Sequence, residues 1–143
     1  MYALVDCNNF YASCERSFNP KLNDVPVVVL SNNDGCVIAR SNEAKKLGIP
    51  MGAVAYKYQQ LFDKHNVKVF SSNYALYGDI SNRVMNILSS YTPDMEVYSI
   101  DESFLEFNGF ENFDLKAYGH EMKDWVNQLT RVPISIGFAP TKA

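Results

Sequence analysis

Short apolar runs alternate with helical periodicities along this chain. Tyr2–Val5 is an apolar strand that ends at Asp6. Asn8-Asn9 offers an N-cap for a helix over Phe10–Phe18, where Phe10, Cys14 and Phe18 fall four apart on one face. Asn19-Pro20 stops it. The longest apolar run, Val25–Leu30, reads as a buried strand and leads into Asn32-Asn33-Asp34-Gly35, a hairpin signal with Cys36–Ala39 as the returning strand. Ser41 and Asn42 can cap a short helix that closes at Gly48, and Pro50-Met51-Gly52 is a turn. Tyr56–Phe62 reads as another short helix and Val67–Phe70 as a strand. A longer helix spans Tyr74–Ser90 with a stripe of Ile80, Val84, Ile87 and Leu88, and Thr92-Pro93-Asp94 ends it. Glu96–Ile100 and Phe104–Phe107 are strands joined at Asp101-Glu102. Phe113–Leu129 is an amphipathic helix carrying Leu115, Met122, Trp125, Val126 and Leu129, and Ile134–Phe138 is the last strand.

Set residues 24–72 aside and the order is β-α…α-β-β-α-β. That order predicts an α+β fold, an antiparallel ferredoxin-like (βαββαβ) sheet with helices on one face. Residues 24–72, with their own strands and short helices, read as a small α/β insertion between 1–23 and 73–143. No internal repeat or low-complexity tract interrupts this order.

Composition narrows the class. The 143 residues are 47% hydrophobic and 20% charged, ordinary for a soluble globular domain with a real core. No stretch approaches the roughly 18 apolar residues of a membrane span, and no basic-apolar leader opens the chain. Cys7, Cys14 and Cys36 are odd in number and unpaired in spacing, as expected for reduced thiols of a cytoplasmic protein. The net charge of −3 argues against an autonomous nucleic-acid-binding module.

Acids stand where strands end: Asp6, and the pair Asp101-Glu102. Neighbours on a regular strand point to opposite faces, so Asp101 and Glu102 share a site only if the chain bends there. Three converging carboxylates repel unless a cation neutralises them, and an all-oxygen set favours Mg²⁺, Mn²⁺ or Ca²⁺ over zinc. The chemistry that suits such a set is two-metal phosphoryl transfer. By spacing alone the commoner role is structural: a cap or turn for Asp6, a solvated hairpin for Asp101-Glu102.

The surrounding words shift that balance. Asp6-Cys7-Asn8-Asn9-Phe10-Tyr11-Ala12-Ser13-Cys14-Glu15 resembles the opening motif of Y-family (translesion) DNA polymerases, and Tyr98-Ser99-Ile100-Asp101-Glu102-Ser103-Phe104 their second catalytic motif. Pro26–Leu30 and Glu43–Ile49 look like the family's fingers segment, and Ser31–Arg40 is similar to the UmuC branch. The likeness covers essentially the whole chain, in the family's order.

This resemblance implies a palm at 1–23 and 73–143, truncated before its end, with fingers at 24–72. It implies Asp6, Asp101 and Glu102 as catalytic metal-binding carboxylates for two Mg²⁺ ions, with Mn²⁺ as the alternative, and the Cys7 backbone carbonyl as a further contact. Primer-template DNA and an incoming dNTP are the implied partners, with accessory subunits and a sliding clamp engaged through later regions. Tyr11, beside Phe10, aligns with the steric gate that excludes a ribose 2′-hydroxyl.

The pattern departs from the family where many members carry Tyr and Arg on the triphosphate. Asn42 and Lys45 stand there instead; Lys45 keeps the charge without the planar fork, and Arg40 is a candidate substitute. Ile136–Lys142 resembles the family's palm strand and the start of its next helix, beyond which members continue into a thumb and a little finger. The segment alone is therefore expected to be inactive. A palm-like nucleotidyl cyclase is the rival enzyme class, although a cyclase needs neither the insertion nor the Phe10-Tyr11 gate; a non-catalytic nucleotide-binding module is the other. His65 and His120 carry no catalytic signal, and capping and packing account for Asn73, Tyr74, Tyr77 and Arg83.

Overall fold

The computed structural model describes residues 1–110 and 114–142. Among them the elements run β1 (Tyr2–Cys7), α1 (Phe10–Phe18), β2 (Val27–Leu30), β3 (Val37–Arg40), α2 (Asn42–Lys46), α3 (Gln59–Lys64), β4 (Lys68–Phe70), α4 (Tyr74–Ser89), β5 (Asp94–Ser99), β6 (Glu102–Glu106), α5 (Leu115–Thr130) and β7 (Ile134–Ala139). The fold is α+β. The chain forms two compact units, one of Met1–Asn8 with Gly78–Ala143 and one of Asn9–Tyr77.

The first unit holds a four-stranded sheet in the order β5-β6-β1-β7, every neighbouring pair antiparallel. Period-two alternation gives β1 one buried face, Ala3, Val5 and Cys7, and a second face of Tyr2, Leu4 and Asp6. Ser103 and Leu105 of β6 are buried in the same alternation, opposite Val5 and Ala3. α5 packs on β7, and it does so closely at Gly119, where a Cβ would stand 3.0 Å from the Phe138 ring.

α5 buries Gly119, Met122, Val126 and Thr130. The expected stripe is corrected at two positions: Trp125 and Leu129 are 45% and 52% exposed. Each lies one residue, about 100° of helix rotation, from Val126 or Thr130, so they flank the buried line instead of joining it. The expected first residue of this helix, Phe113, lies outside the described residues; Asp114 is the N-cap, its side chain accepting from Ala117 N. In α4, Ile80, Val84 and Leu88 are buried as expected, whereas Ile87 is only half-buried and Met85 is buried on the other side of the Val84–Leu88 line.

The second unit contains a three-stranded sheet, β3-β2-β4, with β2–β3 antiparallel and β2–β4 parallel. Central β2 is buried at all four positions, which explains its uninterrupted apolar run. Val28, Leu30, Val37, Ala44, Ile49, Ala53, Phe62 and Val67 make one core, and Ala12, Leu22 and Val27 a second. The β2–β3 turn is pinned by side chains: Ser31 Oγ donates to Asn33 Oδ1 (2.8 Å), which also accepts from Gly35 N (3.1 Å). In place of one helix over Tyr56–Phe62, a 3₁₀ turn at Ala55–Tyr58 leads into α3.

α1 begins and ends as expected, but its faces differ. Phe10 and Cys14 are buried together with Ala12, Ser13 and Glu15, while Phe18 is 77% exposed at the last turn, past the residues that cover the others. Asn9 occupies the N-cap position in the left-handed region (φ 48°) and makes no side-chain cap bond. Arg16 ties the unit together: Nε donates to Leu22 O (3.1 Å), and Nη2 to Val25 O (2.6 Å) and Glu43 Oε1 (2.8 Å). Burial alone would raise the Glu43 pKa; the hydrogen bond and charge of Arg16, with bonds from the Glu43 amide and Ser41, together outweigh it and hold the carboxyl below its ordinary value.

Candidate active site

Three carboxylates meet at one end of the first unit's sheet. Asp6 on β1 faces Glu102 directly across the antiparallel ladder. Asp101 precedes β6 in a two-residue turn, and the β5–β6 register shifts between Val97 and Ser99. That irregularity frees Asp101 from strand alternation, so adjacent Asp101 and Glu102 reach the same place. One oxygen from each of Asp6, Asp101 and Glu102 lies within 4.8 Å of the others, and all three residues are half-buried.

The surroundings fix this turn. Cys7 N donates to Asp101 O (2.9 Å), Ser99 Oγ to Asp101 Oδ1 (2.9 Å), and Ser81 Oγ to Ile100 O (2.5 Å). On the other side, Asn8 N donates to Pro133 O (2.9 Å) and Ser135 Oγ to Asn8 Oδ1 (2.8 Å). The sequence gives little warning of Ser81 or Ser135 as supports; only pairing across the finished sheet brings them in.

Electrostatically the cluster is self-repelling. Desolvation, then the charge of Asp101, lifts the Asp6 pKa above its ordinary value. Burial, Asp101 and Asp6 together push the Cys7 thiol up to about 12, so Cys7 stays a neutral thiol. Among the described residues, no ion pair reaches Asp6, Asp101 or Glu102. An all-oxygen set, short of positive charge and half open to solvent, fits a hard divalent cation whose other positions go to water or phosphate.

The remaining expected residues belong to the second unit. Lys45 Nζ donates to Asn9 Oδ1 (2.6 Å), and Asn9 Nδ2 donates to Asn42 Oδ1 (3.0 Å). Asn9, expected only as a cap, thus joins the two positions at which the family pattern changes. Arg40 Nη1 donates to Ile49 O (2.9 Å), while its buried Nε has no partner among the described residues. Tyr11 is half-buried, with its ring 5.8 Å from Phe10 and stacked on Tyr77 at 4.5 Å and 16°, and Tyr74 stands edge-on to it. Asn73 caps α4 by accepting from Leu76 N (3.1 Å), as expected.

Over residues 5–143 the chain matches the impB/mucB/samB family. It is 51% identical to protein UmuC of Salmonella typhimurium strain LT2 over 143 residues, covering 99% of this chain and 34% of that protein. ImpB of Salmonella typhimurium is 50% identical with the same coverage, and DNA polymerase IV of Clostridium kluyveri is 31% identical, covering 97% of this chain and 36% of the relative. The chain spans about a third of the length of these curated relatives. DinB from Sulfolobus solfataricus superimposes with a TM-score of 0.87 at 27% identity, covering 99% of this chain and 42% of that one. The insertion ternary complex of Dbh DNA polymerase gives 0.87 at 27%, with 99% and 43% covered. Among the described residues, no helix is long and apolar enough to cross a membrane. Because sequence and fold agree over nearly its whole length, this chain belongs to the impB/mucB/samB family of Y-family DNA polymerases and corresponds to their N-terminal region.

Proposed function

We propose that this chain is the N-terminal catalytic portion of a cytoplasmic translesion DNA polymerase, extending a primer 3′-hydroxyl with dNTPs opposite damaged template. The observation that carries this is the meeting of Asp6, Asp101 and Glu102 within 4.8 Å, in a chain of this family. Residues 1–23 and 73–143 form the palm, a ferredoxin-like βαββαβ frame, and 24–72 the fingers. The strand order β5-β6-β1-β7 supports the frame.

Asp6, Asp101 and Glu102, with the Cys7 carbonyl, would hold the two Mg²⁺ ions (or Mn²⁺). Bound there, the ions would supply Lewis-acid activation of the primer hydroxyl and neutralise charge on the departing pyrophosphate. The chain's own residues hold the framework: Ser99 orients the Asp101 carboxylate, and the Cys7 N–H fixes the turn that turns Asp101 toward Asp6. Tyr11, flanked by Phe10, supplies the wall against a 2′-hydroxyl. Lys45 brings positive charge to the triphosphate, with Asn9 and Asn42 as neighbouring amide donors and Arg40 nearby in sequence. Primer-template DNA is gripped mainly by regions beyond this segment, which also engage accessory subunits and a sliding clamp. The segment by itself is inactive.

Primer extension by the full-length gene product tests the assignment. Asp101→Ala lowers extension by about 10³-fold or more while leaving the circular-dichroism spectrum and melting temperature near wild type. Normal extension by that variant overturns the proposal.

A further inference from the structure

We propose that Glu15 is a positioning residue for sugar selection, acting through the Tyr77 hydroxyl to fix the ring of Tyr11. The inference rests on the reading of Tyr11 as the gate and extends it to a residue that touches no substrate. Tyr11 and Glu15 lie four apart on α1, one turn along the same side. Tyr74 and Tyr77 lie three apart on the first turn of α4. Tyr77 donates its O–H to Glu15 Oε1 at 2.9 Å. Tyr11 stacks on Tyr77, and Tyr74 closes the group edge-on at 6.2 Å to each ring.

Burial makes this arrangement notable. Tyr77 is 0% exposed and Glu15 7%, and no ion pair among the described residues reaches Glu15. A carboxyl held inside a protein without a cation is unfavourable, and a similar-sized apolar side chain would fill the same space without that penalty. Burial accordingly raises the Glu15 pKa, opposed only by the Tyr77 hydrogen bond, and burial raises the Tyr77 phenol as well. What the carboxyl provides, and an aliphatic chain cannot, is a directed acceptor that sets the in-plane position of the Tyr77 ring. A stacked ring follows the ring beneath it. A gate works by the clearance of an atom or two, so slack in Tyr77 becomes slack against the 2′-hydroxyl.

The test measures ATP against dATP in the full-length gene product on primer-template DNA, by primer extension and by equilibrium binding in Ca²⁺. Tyr11→Ala comes first: unchanged sugar discrimination in that variant removes the gate reading itself. With the gate established, Glu15→Ala and Tyr77→Phe should each lower the dATP/ATP preference about tenfold, mainly as a lower KM and Kd for ATP. Glu15→Gln, whose amide oxygen can still accept from Tyr77, should bring the ratio back near wild type. Glu15→Ala combined with Tyr77→Phe should lose no more than either single variant, because both act through one bond. A lower melting temperature with an unchanged dATP/ATP ratio in Tyr77→Phe and in any Glu15 variant that folds reduces Glu15 to a packing role and overturns the inference, with the gate intact.

Discussion

At the scale of single residues, the candidate centre is a set of acids kept together against their own repulsion. The Asp6 carboxyl titrates above its ordinary value because of desolvation and then Asp101. A group whose pKa is raised by folding binds its proton more tightly in the native state, so its contribution to stability falls as pH climbs through the folded value. At neutral pH without a cation the ionised Asp6 is therefore a burden on the fold. Asp6→Asn should raise the melting temperature in EDTA, by about 2–4 °C for each kcal/mol of repulsion relieved. Adding MgCl₂ should stabilise the wild-type protein and leave the variant unmoved. Thermal unfolding of both proteins, in EDTA and in MgCl₂, checks this. A variant that melts lower in EDTA and keeps its response to Mg²⁺ would show that these acids do not form the divalent site.

At the scale of elements, one buried hydroxyl joins strand to helix. Ser41 Oγ accepts from Val27 N (2.9 Å) and from Ala44 N (3.3 Å), so one atom satisfies both a β2 amide and the start of α2. Ser41 is 1% exposed, so no water replaces it readily. Ser41→Ala should destabilise the protein by about 2 kcal/mol, more than an exposed cap, as read by urea denaturation with an unchanged m-value. The cap itself was legible, because a serine before a short polar helix is a local signal. Most element positions were legible on the same grounds, and so was the buried character of β2. Faces were less so. Periodicity gives the angle between side chains but not what stands opposite them, so Phe18, Trp125 and Leu129 counted toward stripes that the packing leaves open. Asn9 stands at the N-cap as its position suggests, but its side chain makes no cap bond and meets Asn42 and Lys45 instead. The three acids could be paired from the sequence because the motifs around them resemble the family's two catalytic motifs; their places near strand ends alone favoured structural roles. Ser81, Ser135, Glu15 and Tyr77 could not, since their roles come from contacts between residues up to 127 positions apart.

At the scale of the whole molecule, charge separates chemistry from grip. The chain carries 13 Lys and Arg against 16 Asp and Glu, a net −3, in a family whose proposed substrate is a polyanion. Each phosphate contact made by a cation releases condensed counterions, and the number of such contacts appears as the slope of log affinity against log salt. With an acidic centre and more acids than bases along the chain, this segment has little to offer the DNA backbone. It should bind duplex primer-template no tighter than about 10⁻⁴ M at physiological salt, with a slope shallower than roughly −2. On the proposed reading, which assigns the phosphate contacts to further regions, the full-length gene product should bind far tighter and with a steep slope. Fluorescence anisotropy of a labelled primer-template, titrated with each protein at several salt concentrations, separates the two. Tight, strongly salt-dependent binding by the segment alone would place the DNA grip within these 143 residues and remove the assignment of that task to later regions.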